Sequence, residues 1–163
     1  PRKRVFDTPM ENDIDGIGRI IQLSVAPVFL LVAIGSFLNV ATQRLARVVD
    51  RSRTLKKEIG GDADGPAREA AIVELRGLSQ RISLANYAIY LWSAAALLVA
   101  IDVALLFAGA FAGADLYALV AALFALAMIA VIGGFGFFMA EISVATRTLR
   151  IRTDAILGKP DKA

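Results

Sequence analysis

The sequence predicts an all-α membrane protein that has three transmembrane helices and a long cytoplasmic helical hairpin between the first and the second. Hydrophobic residues make up 57% of the 163-residue chain and charged residues only 20%. The charges are also clustered, so that the runs Ile20–Val40, Ile82–Ile101 and Leu116–Ala140 contain none. A helix needs roughly 20 apolar residues to cross a bilayer core about 30 Å thick, and each run meets that length.

A soluble fold does not explain these runs. An amphipathic helix in water keeps one polar face, and none of the three runs has such a face. One run could be the buried central helix of a soluble domain, but the remaining chain is too short to cover three. We therefore expect a single membrane domain over 1–163. Its parts are an outer N-terminal tail (1–19), the first span (20–43), the hairpin (44–84), the second span (85–112), the third span (115–141) and a cytoplasmic C-terminal helix and tail (142–163).

The polar segment between the first two spans predicts two amphipathic helices joined by a turn. Its apolar residues recur at intervals of three and four, which is the spacing of a heptad seam. Gly60 and Gly61 end the first helix, and Pro66 suits the first turn of the second. Arg147–Leu157 is expected to extend the third span and to dock against this hairpin. The seam residues are Leu45, Val48, Ser52, Leu55 and Ile59 in the first helix and Ala71, Leu75, Leu78 and Ile82 in the second.

The distribution of Lys and Arg predicts the orientation, because cytoplasmic segments retain these residues. The hairpin carries nine of them and the C-terminal segment five, whereas the N-terminal tail carries four. Hairpin and C-terminus are therefore expected in the cytoplasm and the N-terminus outside, although the four N-terminal basic residues run against the rule.

The composition excludes several kinds of chemistry. The chain has no Cys and no His, which removes disulfides, thiolate and imidazole catalysis and most transition-metal sites. No serine lies in a nucleophile elbow, and the spans contain no pair of carboxylates. We therefore expect neither an enzyme nor a bound cofactor or metal.

The basic residues of the hairpin favour a lipid partner over nucleic acid. No aromatic residue lies between Phe37 and Tyr87 to stack on bases, whereas anionic headgroups at the cytoplasmic face attract Lys and Arg. Tyr87, Tyr90 and Trp92 are expected to form an interfacial aromatic belt.

Asp102 is the only charged residue between Arg81 and Asp115. Placing a carboxylate inside an apolar span costs free energy, so Asp102 is expected either to form a functional site or to pair with another polar group. It could bind an ion or a proton along a water-filled path. Alternatively, it could pair with Arg19 or reach headgroup water, and its depth in the outer part of the bilayer favours this second interpretation.

A second polar feature lies near the inner end of the spans. Four side chains share one face of the first helix, and Glu141 at the end of the third span can pair with Arg44 or Arg81. They could form a polar seam that ties the three helices together, or a stripe that lines a pore in an oligomer, and we favour the seam. The four side chains are Ser36, Asn39, Gln43 and Arg47.

Two features of the spans concern packing. Pro27 removes a backbone hydrogen bond and is expected to kink or loosen the first helix. The small residues at 94–96 and in Gly133–Gly136 allow close helix contact, within the bundle or between subunits.

Two motifs carry a resemblance to a known family. The first is Pro-x-Phe-Leu-Leu at 27–31, and the second is Arg-Leu-x-Arg-x-x-Asp-Arg-x-Arg-x-Leu at 44–55. With these motifs the chain resembles the bacterial membrane family called domain of unknown function 2721, over most of Ile20 to Arg152. The resemblance implies a three-span protein of the bacterial inner membrane and brings no assigned activity. The motif residues are Pro27, Phe29, Arg44, Arg47, Asp50, Arg51 and Arg53.

Taken together, these features predict a structural or interaction protein. It is expected to self-associate or to serve as an accessory subunit of a larger membrane complex. The alternative is a homo-oligomeric ion-conducting pore lined by the first helix. The position of the polar stripe distinguishes the two, because a pore needs the stripe on a central axis and a scaffold places it between helices of one subunit.

Overall fold

The part of the chain that the structure describes consists of three long helices and their short connections. The computed structural model describes residues 9–60, 65–113 and 115–157, and within these ranges it contains no strand. The helices are α1 (Pro9–Ile59), α2 (Pro66–Ala112) and α3 (Tyr117–Leu157). Each contains a segment long and apolar enough to cross a membrane. The predicted all-α fold with three membrane-length helices is therefore confirmed.

The first span and the first half of the hairpin are one continuous helix. α1 begins at Pro9, inside the segment expected to be a tail, and it runs through Pro27 to Ile59. Pro27 removes one backbone hydrogen bond but does not end the helix. The amide of Gly60 donates to the carbonyl of Lys56 at 3.1 Å and closes the last turn. Most of the predicted turn, residues 61–64, lies outside the described residues.

Two glycines with left-handed backbone set the ends of α2. Gly65 (φ +72°) precedes the helix, and its carbonyl accepts the amide of Arg68 at 3.1 Å. Gly113 (φ +63°) follows the helix and donates to the carbonyl of Gly109, which is the usual glycine termination. The carboxylate of Asp115 then accepts the amide of Tyr117 at 3.3 Å and caps the start of α3. So short a connection makes α2 and α3 antiparallel neighbours.

One seven-residue packing pattern runs along the whole bundle. Buried positions on α1 recur at every seventh residue, from the span into the hairpin, and the other two helices follow the same interval. This repeat is typical of helices that wrap around each other in a left-handed sense. The heptad seam predicted for the hairpin thus extends through the spans. The buried sets are Pro27, Ile34, Ala41, Val48 and Leu55 on α1; Leu78, Ala85, Trp92 and Val99, with Ala88, Ala95, Asp102 and Gly109, on α2; and Ala127, Gly134 and Glu141 on α3.

The hairpin packs against itself, as the sequence predicts. Val48, Leu55 and Leu78 form its buried cluster. On its surface the guanidinium of Arg51 makes two hydrogen bonds to the carboxylate of Glu74, at 2.9 and 3.2 Å. The side chains of Arg147–Leu157, which were expected to dock here, lie outside the described residues, although their backbone does extend α3 to Leu157.

Trp92 is the centre of the main core rather than part of an interfacial belt. Its side chain is buried, while those of Tyr87 and Tyr90 are exposed. The indole Nε1 donates to the carbonyl of Val131 on α3 at 3.2 Å. The ring of Phe37 on α1 lies 5.6 Å from it, centroid to centroid. Trp92 faces inward because it occupies a seam position of α2, which the span boundaries alone do not reveal.

Gly134 allows α3 to approach this indole. A Cβ added at Gly134 would lie 2.6 Å from Cδ1 of Trp92, closer than real Cβ atoms come, and one at Gly133 would lie 3.2 Å from Cδ1 of Leu91. A Cβ added at Gly136 would meet nothing within 4 Å. The predicted packing face is therefore centred on Gly133 and Gly134.

We expect Gly134→Ala to destabilise the bundle by about 1–3 kcal/mol, because the added methyl overpacks the site and displaces Trp92. Gly136→Ala is the matched control and should leave stability unchanged or slightly higher, since Ala favours helix over Gly. Thermal unfolding in detergent, followed by the emission of the one tryptophan in the chain, measures both. Equal midpoints for the two variants would contradict this packing.

Candidate functional site

One carboxylate joins all three helices. Oε2 of Glu141 on α3 accepts a hydrogen bond from Nη2 of Arg44 on α1 at 2.9 Å. Oε1 lies 2.9 Å from Nε and 2.8 Å from Nη2 of Arg81 on α2. Only 2% of Glu141 is exposed. We call Arg44, Arg81 and Glu141 the triad. The sequence offered Arg44 or Arg81 as the partner of Glu141, and the structure pairs it with both.

The positions of these residues explain why they meet. Arg44 is the first charged residue after the first apolar run, Arg81 is the last before the second run, and Glu141 is the first after the third. Because neighbouring helices are antiparallel, these three ends lie at the same end of the bundle. Glu141 also continues the seven-residue seam of Ala127 and Gly134, so its carboxylate points inward.

The triad carries one positive charge in excess, since two guanidinium groups share one carboxylate. Charge-assisted bonds of this kind are short and strong. The Arg44 guanidinium also lies over the ring of Phe138, 5.4 Å from its centroid, a favourable cation–π distance. Nε of Arg44 is buried and has no hydrogen-bond partner among the described residues. The triad can therefore hold the helices together.

The four predicted stripe residues of α1 do not lie between the helices. Ser36, Asn39, Gln43 and Arg47 are all exposed. The reason is rotational: the seam residues, spaced seven apart, turn one side of α1 inward, and the four polar residues lie on the opposite side. The predicted polar seam has five members, and among them only Glu141 lies between the helices of the bundle. We call Ser36, Asn39 and Gln43 the outward stripe.

The outward stripe satisfies part of its own hydrogen bonding. The Ser36 hydroxyl donates to the carbonyl of Val32 at 3.1 Å, and Nε2 of Gln43 donates to Oδ1 of Asn39 at 3.0 Å. The amide nitrogen of Asn39 and the amide oxygen of Gln43 make no hydrogen bond within the described part of the chain. The stripe therefore presents the amide nitrogen of Asn39, as a donor group, and the amide oxygen of Gln43, as an acceptor group, on the outer side of α1.

Asp102 lies in the seam of α2, far from the triad. Only 2% of it is exposed, and its Oδ1 has no hydrogen-bond partner among the described residues. The carboxylate is therefore covered mainly by neighbouring residues of the same chain. The predicted pairing with Arg19 involves a side chain that lies outside the described ones.

The motif residues divide between core, triad and surface. Pro27 is buried in the seam, whereas Phe29 is 70% exposed. Arg44 belongs to the triad, and Arg51 bridges the two helices of the hairpin through Glu74. The remaining members, Arg47, Asp50 and Arg53, are exposed.

Sequence reasoning missed two parts of this arrangement, namely the inward position of Trp92 and the burial of Ser24. The inward position of Trp92 could have been predicted by continuing the seven-residue repeat of the hairpin into the spans. Among the described residues, no group of three or more His, Cys, Asp or Glu could hold a metal ion.

Three membrane-length helices, two of them extended into a packed polar hairpin and all joined by a charged triad around a buried carboxylate, indicate a multi-pass membrane protein. Residues 24–151 match the family described as Protein of unknown function (DUF2721), and the chain belongs to that family. The match confirms the resemblance, and it covers the triad, the outward stripe and Asp102. Comparison with curated proteins and with solved structures gave no match.

We expect Glu141→Gln to lower the free energy of unfolding by about 2 kcal/mol, because it removes the charge that both arginines need at a buried position. Glu74→Gln is the matched control: it alters an arginine pair on the hairpin surface and should change stability by less than about 1 kcal/mol. Denaturant unfolding in detergent measures both. If the two variants lose equal stability, the triad does not hold the bundle together.

Proposed function

We propose that this protein is a non-enzymatic structural or interaction protein of the bacterial inner membrane. It acts by associating with further copies of itself or as an accessory subunit of a larger membrane complex. The observation that supports the proposal is the outward stripe, because it places unsatisfied amide groups on the membrane-facing side of α1.

The depth of the stripe makes a partner helix favourable. Asn39 precedes Arg44 by five residues, which is about 7.5 Å along a helix, so it lies within the apolar run. Hydrocarbon offers no hydrogen bonds, and a buried polar group without a partner is costly. Polar side chains that bond across helices contribute about 0.6 kcal/mol each on average. Several such contacts, with close packing around them, can hold two helices together.

A second copy of the chain fits this stripe. Each stripe has a free donor on Asn39 and a free acceptor on Gln43, so two stripes related by a two-fold axis can satisfy each other. Exposed apolar residues on the same side of α1, including Val32 and Val40, supply packing surface around the amides.

The alternative function uses the same surface differently. In a ring of several copies, the outward stripes could face a central axis, and α1 would then line an ion-conducting pore. The outward position of Ser36, Asn39 and Gln43 is compatible with such a ring, since no helix of the same chain covers them. Ion flux through protein-containing liposomes distinguishes a pore from a closed assembly.

We expect the double variant Asn39→Leu, Gln43→Leu to shift the protein from oligomer to monomer, because it removes the amides while keeping their approximate volume. Ser93→Leu is the control, since Ser93 is an exposed polar residue on α2, away from the stripe. Mass measurement in mild detergent, together with crosslinking in native membranes, reports the assembly. A wild-type protein that is a lone monomer in both measurements contradicts self-association.

We further propose that the hairpin and the C-terminus lie in the cytoplasm and the N-terminus outside. Fourteen of the 18 Lys and Arg residues belong to the hairpin and the C-terminal segment, as the positive-inside rule requires. Exposed Arg47 on α1, one turn beyond Arg44, would then be close to anionic lipids of the inner leaflet.

The absence of cysteine from the sequence allows a direct test of orientation. A cysteine at Ala112, at the α2–α3 connection, should react with a membrane-impermeant maleimide on intact spheroplasts. A cysteine at Arg53, on the hairpin, should react only after the membrane is permeabilised. The unmodified protein is the blank. The opposite pattern would reverse the orientation and leave the proposed association intact.

A further inference from the structure

Two buried oxygen-bearing side chains lie at the same level of the bundle, in the half far from the triad. Both Ser24 on α1 and Asp102 on α2 are buried. Ser24 lies 36 residues before Gly60, where α1 has ended, and Asp102 lies 36 residues after Pro66, where α2 begins. α1 and α2 are antiparallel and are joined at these ends. Two residues that are equally many positions from their respective ends therefore lie at the same height along the bundle.

Observed contacts support this register. Counting 12 residues from each end pairs Val48 with Leu78, and both belong to the hairpin cluster. Counting 26 pairs Ile34 with Trp92, and both belong to the main core. The interior of a three-helix bundle is narrow, with axes about 8–10 Å apart. Two buried side chains at one height therefore both lie within this narrow interior.

The buried polar groups at this level are all hydrogen-bond acceptors. Oδ1 of Asp102 has no partner among the described residues. The hydroxyl of Ser24 donates its proton to the carbonyl of Ile21 at 2.9 Å, which leaves its lone pairs free to accept. Pro27, buried one turn further along the same face, has no N–H, so the carbonyl of Leu23 loses its helical donor. A carboxylate, a hydroxyl and a carbonyl thus share this level without a donor from the described side chains.

We propose that Asp102, together with Ser24 and the carbonyl of Leu23, binds a small monovalent cation inside the membrane. Oxygen atoms are the ligands that hard cations prefer. One carboxylate and one monovalent cation make a neutral pair, which removes the cost of an isolated charge in hydrocarbon. The cation is either a proton held on Asp102 or an ion such as sodium bridging the three oxygens. No further ionisable group lies at this height on α2 or α3, and Arg19 on α1 is a competing partner.

The cation has a preferred side of entry. Asp102 is 11 residues from Gly113, or about 16 Å of helix, but 21 residues from Arg81, or about 31 Å. The aromatic cluster around Trp92 lies between the site and the triad. Exchange therefore takes place from the end of the bundle that carries the α2–α3 connection.

The test compares the wild-type chain with Asp102→Asn, Ser24→Ala and Ser83→Ala in detergent. Ser83→Ala is the matched control, since the Ser83 hydroxyl also bonds its own helix, at the carbonyl of Ser79, but is exposed and distant from Asp102. Thermal midpoints are measured in sodium chloride and in choline chloride at equal ionic strength. Infrared spectra of protein with isotope-labelled aspartate report whether Asp102 is protonated.

Sodium should raise the midpoint of the wild type and of Ser83→Ala, should raise that of Ser24→Ala less, and should not raise that of Asp102→Asn. A protonated carboxyl band that disappears in Asp102→Asn, without any sodium effect, identifies the cation as a proton and also supports the site. An ionised Asp102 whose protein is insensitive to sodium overturns the proposal, and a destabilised Arg19→Gln then identifies the partner. If Asp102→Asn does not fold, the test rests on the comparison of Ser24→Ala with Ser83→Ala and on the wild-type spectrum.

Discussion

The shared carboxylate of Glu141 is the interaction on which the arrangement of the three helices depends. α1 and α3 each pack chiefly against α2, and Glu141 links them directly through Arg44 while holding α2 through Arg81. Lipid provides no hydrophobic force between helices, so polar bonds and close packing must hold them. A buried carboxylate with two arginine partners is favourable only when all three are present, and this makes the relative rotation of the helices specific.

The same line of buried side chains runs through the hairpin, which is surrounded by water, and through the spans, which are surrounded by lipid. The types of residue along it differ between the two environments. In the hairpin the seam consists of Val48, Leu55 and Leu78, where water drives apolar side chains together. Within the spans, buried alanines on α2 (Ala85, Ala88 and Ala95) flank Trp92, and Gly134 brings α3 against the indole. Small residues increase contact where only packing can hold helices. The same seven-residue geometry therefore serves both environments.

The polar groups of the spans divide by position into inward and outward sets. The triad closes the bundle at the hairpin end, and Asp102 lies buried towards the other end, with the aromatic cluster of Trp92 between them. The outward stripe lies on the opposite side of α1 from the seam. Since the inward face is already filled by helices of the same chain, the stripe is the surface from which association with another molecule is proposed.

Local patterns in the sequence determined the three spans, the hairpin, its seam and the acidic partner of the arginines. Each follows from whether a segment meets hydrocarbon or water and from the spacing of its apolar residues. Only the tertiary structure decided that Trp92 points inward, that Gly134 must lack a side chain, and that Ser36, Asn39 and Gln43 face out. These outcomes depend on how each helix is rotated about its axis, and that rotation is set by residues distant in the chain that pack against it.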